Sequence, residues 1–242
     1  ISVLEMAGAY AAIANDGEYI TPTFYTRVED ANGKVVLEPN QTRQRVLSTE
    51  NAFLMKNVLT EPVVGSKGTA KSCAMSNMDV GAKTGTTDES VDRWLCGFTP
   101  YYTAATWYGY DTNESVSFSG NPSAKIWSAI MKDIHKDLEE ARFVQPSNVV
   151  TAKICMDSGK SATSSCSRTE TIYFVSGTVP EECTGHEGAT VCSESGKLVT
   201  EYCPNPTTKR FLTTPEKEQT TLWTTNPNRK YNKITETCTI HT

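Results

Sequence analysis

The sequence predicts an α+β protein, an antiparallel sheet covered by helices, followed by a small cysteine-rich extension that is mostly β or irregular. Three observations carry that prediction. Residues 80–111 alternate β-forming runs with short polar breaks, and short connections make consecutive strands antiparallel neighbours. Capped, apolar-periodic stretches lie on both sides of that block. Six of the eight cysteines (155, 166, 183, 192, 203 and 238) fall after residue 150, where Ser, Thr, Pro and Glu accumulate.

Taken in order, Ser2 with Glu5 three residues on opens a capped helix that runs to Ala14. It is apolar nearly all round, hence expected to be buried, and is closed by Asn15-Asp16-Gly17. Thr23–Glu29 and Lys34–Leu37 flank Asn32-Gly33, which predicts a projecting β-ribbon. Ser48–Leu59 repeats the capped-helix pattern with Ala52, Met55 and Leu59 on one face. Gly65-Ser66-Lys67-Gly68-Thr69-Ala70 is a turn into a short helix reaching Cys73, because the spacing and preceding strand of a phosphate loop are missing.

Val80–Thr86, Arg93–Thr99 and Tyr102–Asp111 are the predicted strands, with Trp94 as core under the sheet. The next helix, Pro122 to about Leu138, has proline in its first turn. Its face of Ile126, Trp127, Ile130, Met131 and Ile134 should cover the meander, and His135 near its charged end is expected to be solvated. The composition shift after Pro146 marks a boundary, giving a domain over 1–145 and an extension over 146–242.

The bulk numbers exclude some classes. A chain of 242 residues with 38% hydrophobic content can bury one large or two modest cores. Net charge −5, with no long Lys/Arg cluster, excludes a nucleic-acid role. No apolar run approaches the ~18 residues needed to span a bilayer. The chain opens on Ile1 inside a predicted helix with no leader pattern, which predicts a piece of a longer protein. Eight cysteines, skewed to the tail, point to an exported protein.

The stretch with the densest chemistry is Val80-Gly81-Ala82-Lys83-Thr84-Gly85-Thr86-Thr87. Its glycines let something outside approach the backbone, Lys83 supplies a cation, and Thr84 and Thr86 point to one face of the strand. Such an edge suits an extended peptide that ends in a carboxylate.

The tail holds an internal repeat. Residues 154–166 align with 191–203, and each copy is followed by Cys-Thr-x-His, at Cys183–His186 and Cys238–His241. The unit is C-x10-C, a spacer, then C-x2-H, present twice. Disulfides are the favoured expectation because an exported protein is oxidised: Cys155–Cys166, Cys192–Cys203, and the leftover Cys183 with Cys238. The alternative is structural zinc on Cys155, Cys166, Cys183 and His186, and on Cys192, Cys203, Cys238 and His241. It explains why two of only three histidines follow a cysteine at the same spacing, although C-x10-C is wider than the usual zinc knuckle. Cys73 and Cys96 read as small buried hydrophobes.

The ordered set of Leu4–Ala14 with Asn15-Asp16-Gly17, the hairpin after Thr21-Pro22, the Gly65–Ala70 turn, Lys83-Thr84-Gly85-Thr86-Thr87 and Asp92-Arg93-Trp94-Leu95-Cys96-Gly97-Phe98-Thr99-Pro100 resembles the class A penicillin-binding proteins. The likeness covers roughly residues 1–140 and falls in the C-terminal half of their transpeptidase domain. The tail resembles extensions of clostridial members. The resemblance implies an incomplete penicillin-binding/serine β-lactamase-like fold at the extracytoplasmic face of a bacterial membrane, anchored by the parent protein. It implies serine acyl transfer from the D-Ala-D-Ala end of peptidoglycan stem peptides, with β-lactams as covalent inhibitors and no cofactor.

By the same resemblance Lys83 and Thr86 are catalytic, Thr86 through its backbone N–H as an oxyanion donor. Thr84, Gly85, Thr86 and Thr87 bind substrate. This sequence departs from the family in containing no S-x-x-K, and Ser119-Gly120-Asn121 follows the K-T-G strand where the family's S-x-N precedes it. The nucleophile is therefore expected on the N-terminal half of the same domain, covalently attached or a second chain, and the chain alone is expected to be inactive. A serine β-lactamase or penicillin sensor, and a non-catalytic wall-peptide-binding module, are the alternatives.

Overall fold

The structure, a computed structural model, describes residues 1–212 and 234–241. It forms two compact units, Ile1–Asn148 and Val149–Thr242.

In the first unit α1 (Val3–Ala14) starts with a complete capping box: Glu5 N–H donates to Ser2 Oγ (3.2 Å) and Ser2 N–H to the Glu5 carboxylate (2.7 Å). Asp16 and Gly17 end it with positive φ, and a side chain at Gly17 would strike the Leu47 carbonyl. The expectation of a helix buried on all sides is corrected: among the described residues of α1 only Gly8 and Ala12 are fully buried, while Val3 and Leu4 are exposed.

Strand β1 (Glu18–Ile20), which the sequence reading missed, pairs antiparallel with β4 (Arg43–Arg45). The ribbon between them, β2 (Val28–Glu29) with β3 (Val35–Leu37), turns at Gly33, and Asp30 Oδ1 accepts from the N–H groups of Asn32 and Lys34. Helix α2 (Thr49–Val64) is capped by Ser48, as expected. Its inner face is Ala52, Phe53, Lys56, Leu59 and Val63, whereas Met55 is turned to solvent, which corrects the predicted face. Lys56 is buried because Asp16 holds its ammonium at 2.5 Å.

The sheet is β5 (Gly81–Thr86), β6 (Asp92–Phe98) and β7 (Thr103–Gly109), antiparallel in that order. Register puts Gly81, Lys83, Gly85, Trp94, Cys96 and Phe98 on one face, where Tyr10 of α1 meets Phe98 with ring centroids 6.5 Å apart. Ala82, Thr84, Thr86, Arg93 and Leu95 share the other face with α3 (Pro122–Ile134). Helix α3 packs Trp127 and Met131 into the core, and the small residues beside them let it lie close. Ser123 Oγ donates to Arg93 O (2.6 Å), Trp127 Nε1 donates to Ala104 O (3.1 Å), and Ala124 and Ser128 are buried. Of the predicted face Trp127 and Met131 are buried, whereas Ile126, Ile130 and Ile134 are 40–51% exposed, so the buried face is rotated from the predicted one.

His135 is a further correction. It is buried at 2% exposure, bonded to Thr99 Oγ1 (2.7 Å) and the Met131 carbonyl (2.6 Å), with Tyr101 and Tyr102 edge-on around it. A short loop returns the chain beside the helix end, and both ring nitrogens find partners there, so burial costs little.

The second unit is two hairpins. Strand β8 (Val149–Cys155) pairs with β9 (Thr169–Val175), and β10 (His186–Cys192) pairs with β11 (Pro206–Leu212), both antiparallel over seven residue pairs. The spacer of the second repeat between Leu212 and Ile234 lies outside the described residues.

Candidate functional site

Strand β5 has no partner on its outer edge among the described residues. Two bonds fix which backbone groups face outward. Thr87 N–H points inward to Asp92 O (3.3 Å), and the Thr84 carbonyl points outward to accept from Lys83 Nζ (2.9 Å). Alternation along the strand then turns the N–H groups of Thr84 and Thr86 to the free edge. Lys83 is exposed and, with Thr84, Gly85, Met6, Tyr10, Trp94 and Cys96, lines a pocket of about 210 Å³. Burial raises the Tyr10 phenol, with Cys96 nearby adding to it, and holds the Cys96 thiol up at about 11.

Trp94, expected as core, is half-buried and forms the floor of this pocket beside Gly85, where a Cβ would come within 3.0 Å of Trp94 Cβ. Thr84 Oγ1 shares a hydrogen bond with Thr69 Oγ1 (2.9 Å), so the Gly65–Ala70 turn positions a hydroxyl of the strand. Arg93 Nη1 donates to Thr86 Oγ1 at 3.5 Å and puts a second cation at the hydroxyl face. Thr69 and Arg93 were passed over in the sequence, although the pairing of residue 86 with residue 93 follows once the hairpin register is counted. Thr87 Oγ1 is spent on the connection, donating to Asp92 Oδ2 and accepting from Asp92 N–H, both at 3.0 Å. Asn121 of the Ser119-Gly120-Asn121 triplet caps α3 by accepting from Ala124 N–H (3.3 Å) and donates to Trp94 O (2.9 Å). That is turn and cap chemistry.

The tail cysteines gather differently from the favoured expectation. No disulfide joins any of the eight cysteines. Cys155, Cys166, Cys183 and His186 converge with ligand atoms all within 4.8 Å of one another, and so do Cys192, Cys203, Cys238 and His241. The expected disulfides are thus not formed, and Cys183 and Cys238 stand in different clusters. The hairpins explain this: each repeat folds on itself and brings its own C-x2-H back to its own C-x10-C.

A three-stranded antiparallel sheet with helices on both faces and a K-T-G strand at its edge defines the penicillin-binding/serine β-lactamase-like class of fold. Comparison with known proteins agrees. The family model for the penicillin binding protein transpeptidase domain matches residues 1–132, and that for the penicillin-binding protein 1A C-terminal domain matches residues 145–188. The chain belongs to the penicillin-binding protein transpeptidase family.

It is 40% identical over 186 residues to penicillin-binding protein 1A of Clostridium botulinum, covering 74% of this chain and 22% of that protein. To penicillin-binding protein 1A of Clostridium tetani it is 38% identical over 196 residues, 77% of this chain and 25% of that one. The chain therefore spans about a fifth to a quarter of the length of these curated relatives. Among solved structures, penicillin-binding protein 1A from Haemophilus influenzae superposes with a TM-score of 0.62 at 28% identity, over 74% of this chain and 32% of that one. The penicillin-binding protein PonA1 from Mycobacterium tuberculosis gives 0.52 at 28% identity, over 60% and 41%.

Proposed function

We propose that the chain supplies one wall of the active site of a peptidoglycan D,D-transpeptidase, and that the reacting serine, its lysine and the S-x-N loop come from the N-terminal half of the same domain. The observation that carries this reading is the free edge of β5, with Lys83 beside it and the Thr86 N–H turned out. An acyl-D-Ala-D-Ala end laid along that edge would place its carboxylate near the Thr84 and Thr86 hydroxyls, with Lys83 and Arg93 supplying positive charge. The serine Oγ attacks the penultimate carbonyl, the oxyanion accepts from Thr86 N–H, and the terminal D-Ala leaves with a proton. An amine of a neighbouring strand then displaces the serine. One oxyanion donor is typically worth about 3 kcal/mol of barrier. A β-lactam would follow the same first step and stay attached.

The apolar groups left open by the fold, Ile1, Val3 and Leu4 at α1 and Ile126, Ile130 and Ile134 on α3, support a missing half that covers them. On this reading the site works at the extracytoplasmic face of a membrane to which the parent protein is anchored; among the described residues no helix is long and apolar enough to cross one. Fluorescent penicillin labelling tests the reading. The full-length protein should form a stable adduct and this chain alone none. Absence of an adduct on the full-length protein overturns the enzyme reading, and rapid turnover of the adduct favours a β-lactamase.

A further inference from the structure

We infer that the tail binds two zinc ions, one in each repeat, through three thiolates and one imidazole. The first site is Cys155, Cys166, Cys183 and His186, and the second is Cys192, Cys203, Cys238 and His241. The inference goes beyond the transpeptidase reading and does not rest on it.

Four ligand atoms around a tetrahedral zinc, with Zn–S of ~2.3 Å and Zn–N of ~2.0–2.1 Å, stand ~3.6 Å apart from sulfur to nitrogen. Cys155 Sγ lies 3.0 Å from His186 Nε2, and His241 Nδ1 lies 3.4 Å from Cys192 Sγ and 3.6 Å from Cys238 Sγ. Four of the six tail cysteines, Cys155, Cys183, Cys192 and Cys238, are fully buried, and Cys166, Cys203 and the two histidines are partly buried. A disulfide in either cluster would leave one thiol and one imidazole over, whereas zinc uses all four groups.

The two clusters are built by the same backbone. Cys155 and Cys192 each accept at the carbonyl from a glycine N–H four residues on (Gly159 and Gly196, 2.8 Å each), and both glycines have positive φ. Each of these cysteines donates its own N–H to a lysine carbonyl, Lys160 or Lys197, at 2.8 Å. The second thiol of each set accepts a backbone N–H, Thr163 to Cys166 Sγ at 3.4 Å and Thr200 to Cys203 Sγ at 3.3 Å. The third is docked by the same bond, Cys183 N–H to Ser161 O and Cys238 N–H to Leu198 O, both 2.8 Å. N–H bonds to sulfur favour thiolate, and a carboxylate orients the imidazole of the second set. Glu194 lies 3.5 Å from Nε2 of His241, leaving Nδ1 to the thiols, whereas Asp157, itself held by Arg168, lies 3.9 Å from His186 Nε2, the nitrogen that faces Cys155, and adds negative charge beside the first set. A packing accident would not reproduce this bond set twice.

The sites are separate. His186 and Cys192 are the two ends of β10, six residues apart, which is ~20 Å at ~3.3 Å per residue. Each ion would close one repeat, and β10 would tie the first closed repeat to the second. Binding takes three thiolates and a neutral imidazole, so up to three protons leave per ion.

The test is metal content and thiol count on the whole chain, purified without chelator and reconstituted with zinc. Native mass and elemental analysis should give two zinc ions, with the six tail thiols reacting with Ellman's reagent only after chelation. The double substitutions Cys183→Ser with His186→Ala, and Cys238→Ser with His241→Ala, should each lower the count from two to one, the untouched site serving as the control for folding. Wild-type chain without stoichiometric zinc overturns the inference, whether its tail thiols are free or paired with a mass deficit of about two daltons per bridge. Two ions retained by either double variant overturns the ligand assignment.

Discussion

Lys83 leaves β5 on one face and Thr84 and Thr86 leave it on the other, yet all three border the same free edge. In the full-length protein Lys83→Ala should therefore lower the rate of acylation by benzylpenicillin about 100-fold, in the range typical of a lost proton-transfer or charge-stabilising group, with the thermal transition unchanged. Stopped-flow quenching of fluorescence on labelling checks it. Cys73 and Cys96 make the opposite kind of prediction. Burial lifts both thiols to about 11, in Cys73 against a smaller lowering by Ser72 and Lys132. A thiol raised this far stays protonated in the folded chain up to about pH 11, while the unfolded chain ionises from about pH 9. The stability these two residues contribute is thus intact below pH 9 and is lost as pH rises toward 11, and at pH 8 neither should react with Ellman's reagent until the chain is denatured. Lys83 and the threonines were legible in the sequence because the motif is contiguous. Thr69 was not, since its bond to Thr84 depends on a turn and a strand meeting in space.

At the scale of the element, the starts of helices were the most readable features, because a cap is a local bond. Ser2, Ser48 and Asn121 each cap the helix that follows. Asn121→Ala removes a cap and the bond to Trp94 O, and should cost about 1 kcal/mol in urea unfolding. Which face of a helix turns inward was less readable. Ile126, Ile130 and Ile134 have the larger side chains, but α3 presses its small residues, Ser123, Ala124 and Ser128, against the sheet, because they allow the close approach that lets Ser123 Oγ and Trp127 Nε1 reach strand carbonyls. The glycines of β5 and β6 belong to the same fit. A Cβ on Gly81 would lie 2.5 Å from the Phe98 ring, so Gly81→Ala should destabilise the first unit by about 1–3 kcal/mol, read from the denaturation midpoint.

For the molecule as a whole, the two units rest on different physics. The first has a continuous apolar core of Val63, Met78, Val80, Leu95, Trp127 and Met131, while the second is two hairpins whose buried side chains are mostly cysteines. Hydrogen exchange after chelation should therefore accelerate in β8–β11 and leave β5–β7 unchanged, and unchanged exchange in β8–β11 would mean that the tail does not depend on its clusters. The sequence by itself determined the family, the α+β class, the K-T-G strand and the doubled cysteine unit, because each is written in residues close together along the chain. Tertiary structure alone decided that His135 is buried, that Thr69 and Arg93 flank the edge strand, and that, of the two groupings the doubled unit offered, the sets of three thiols and a histidine come together rather than the pairs. Those outcomes depend on where separate segments meet, and a hairpin that folds back on itself chooses between partners that spacing along the chain leaves open.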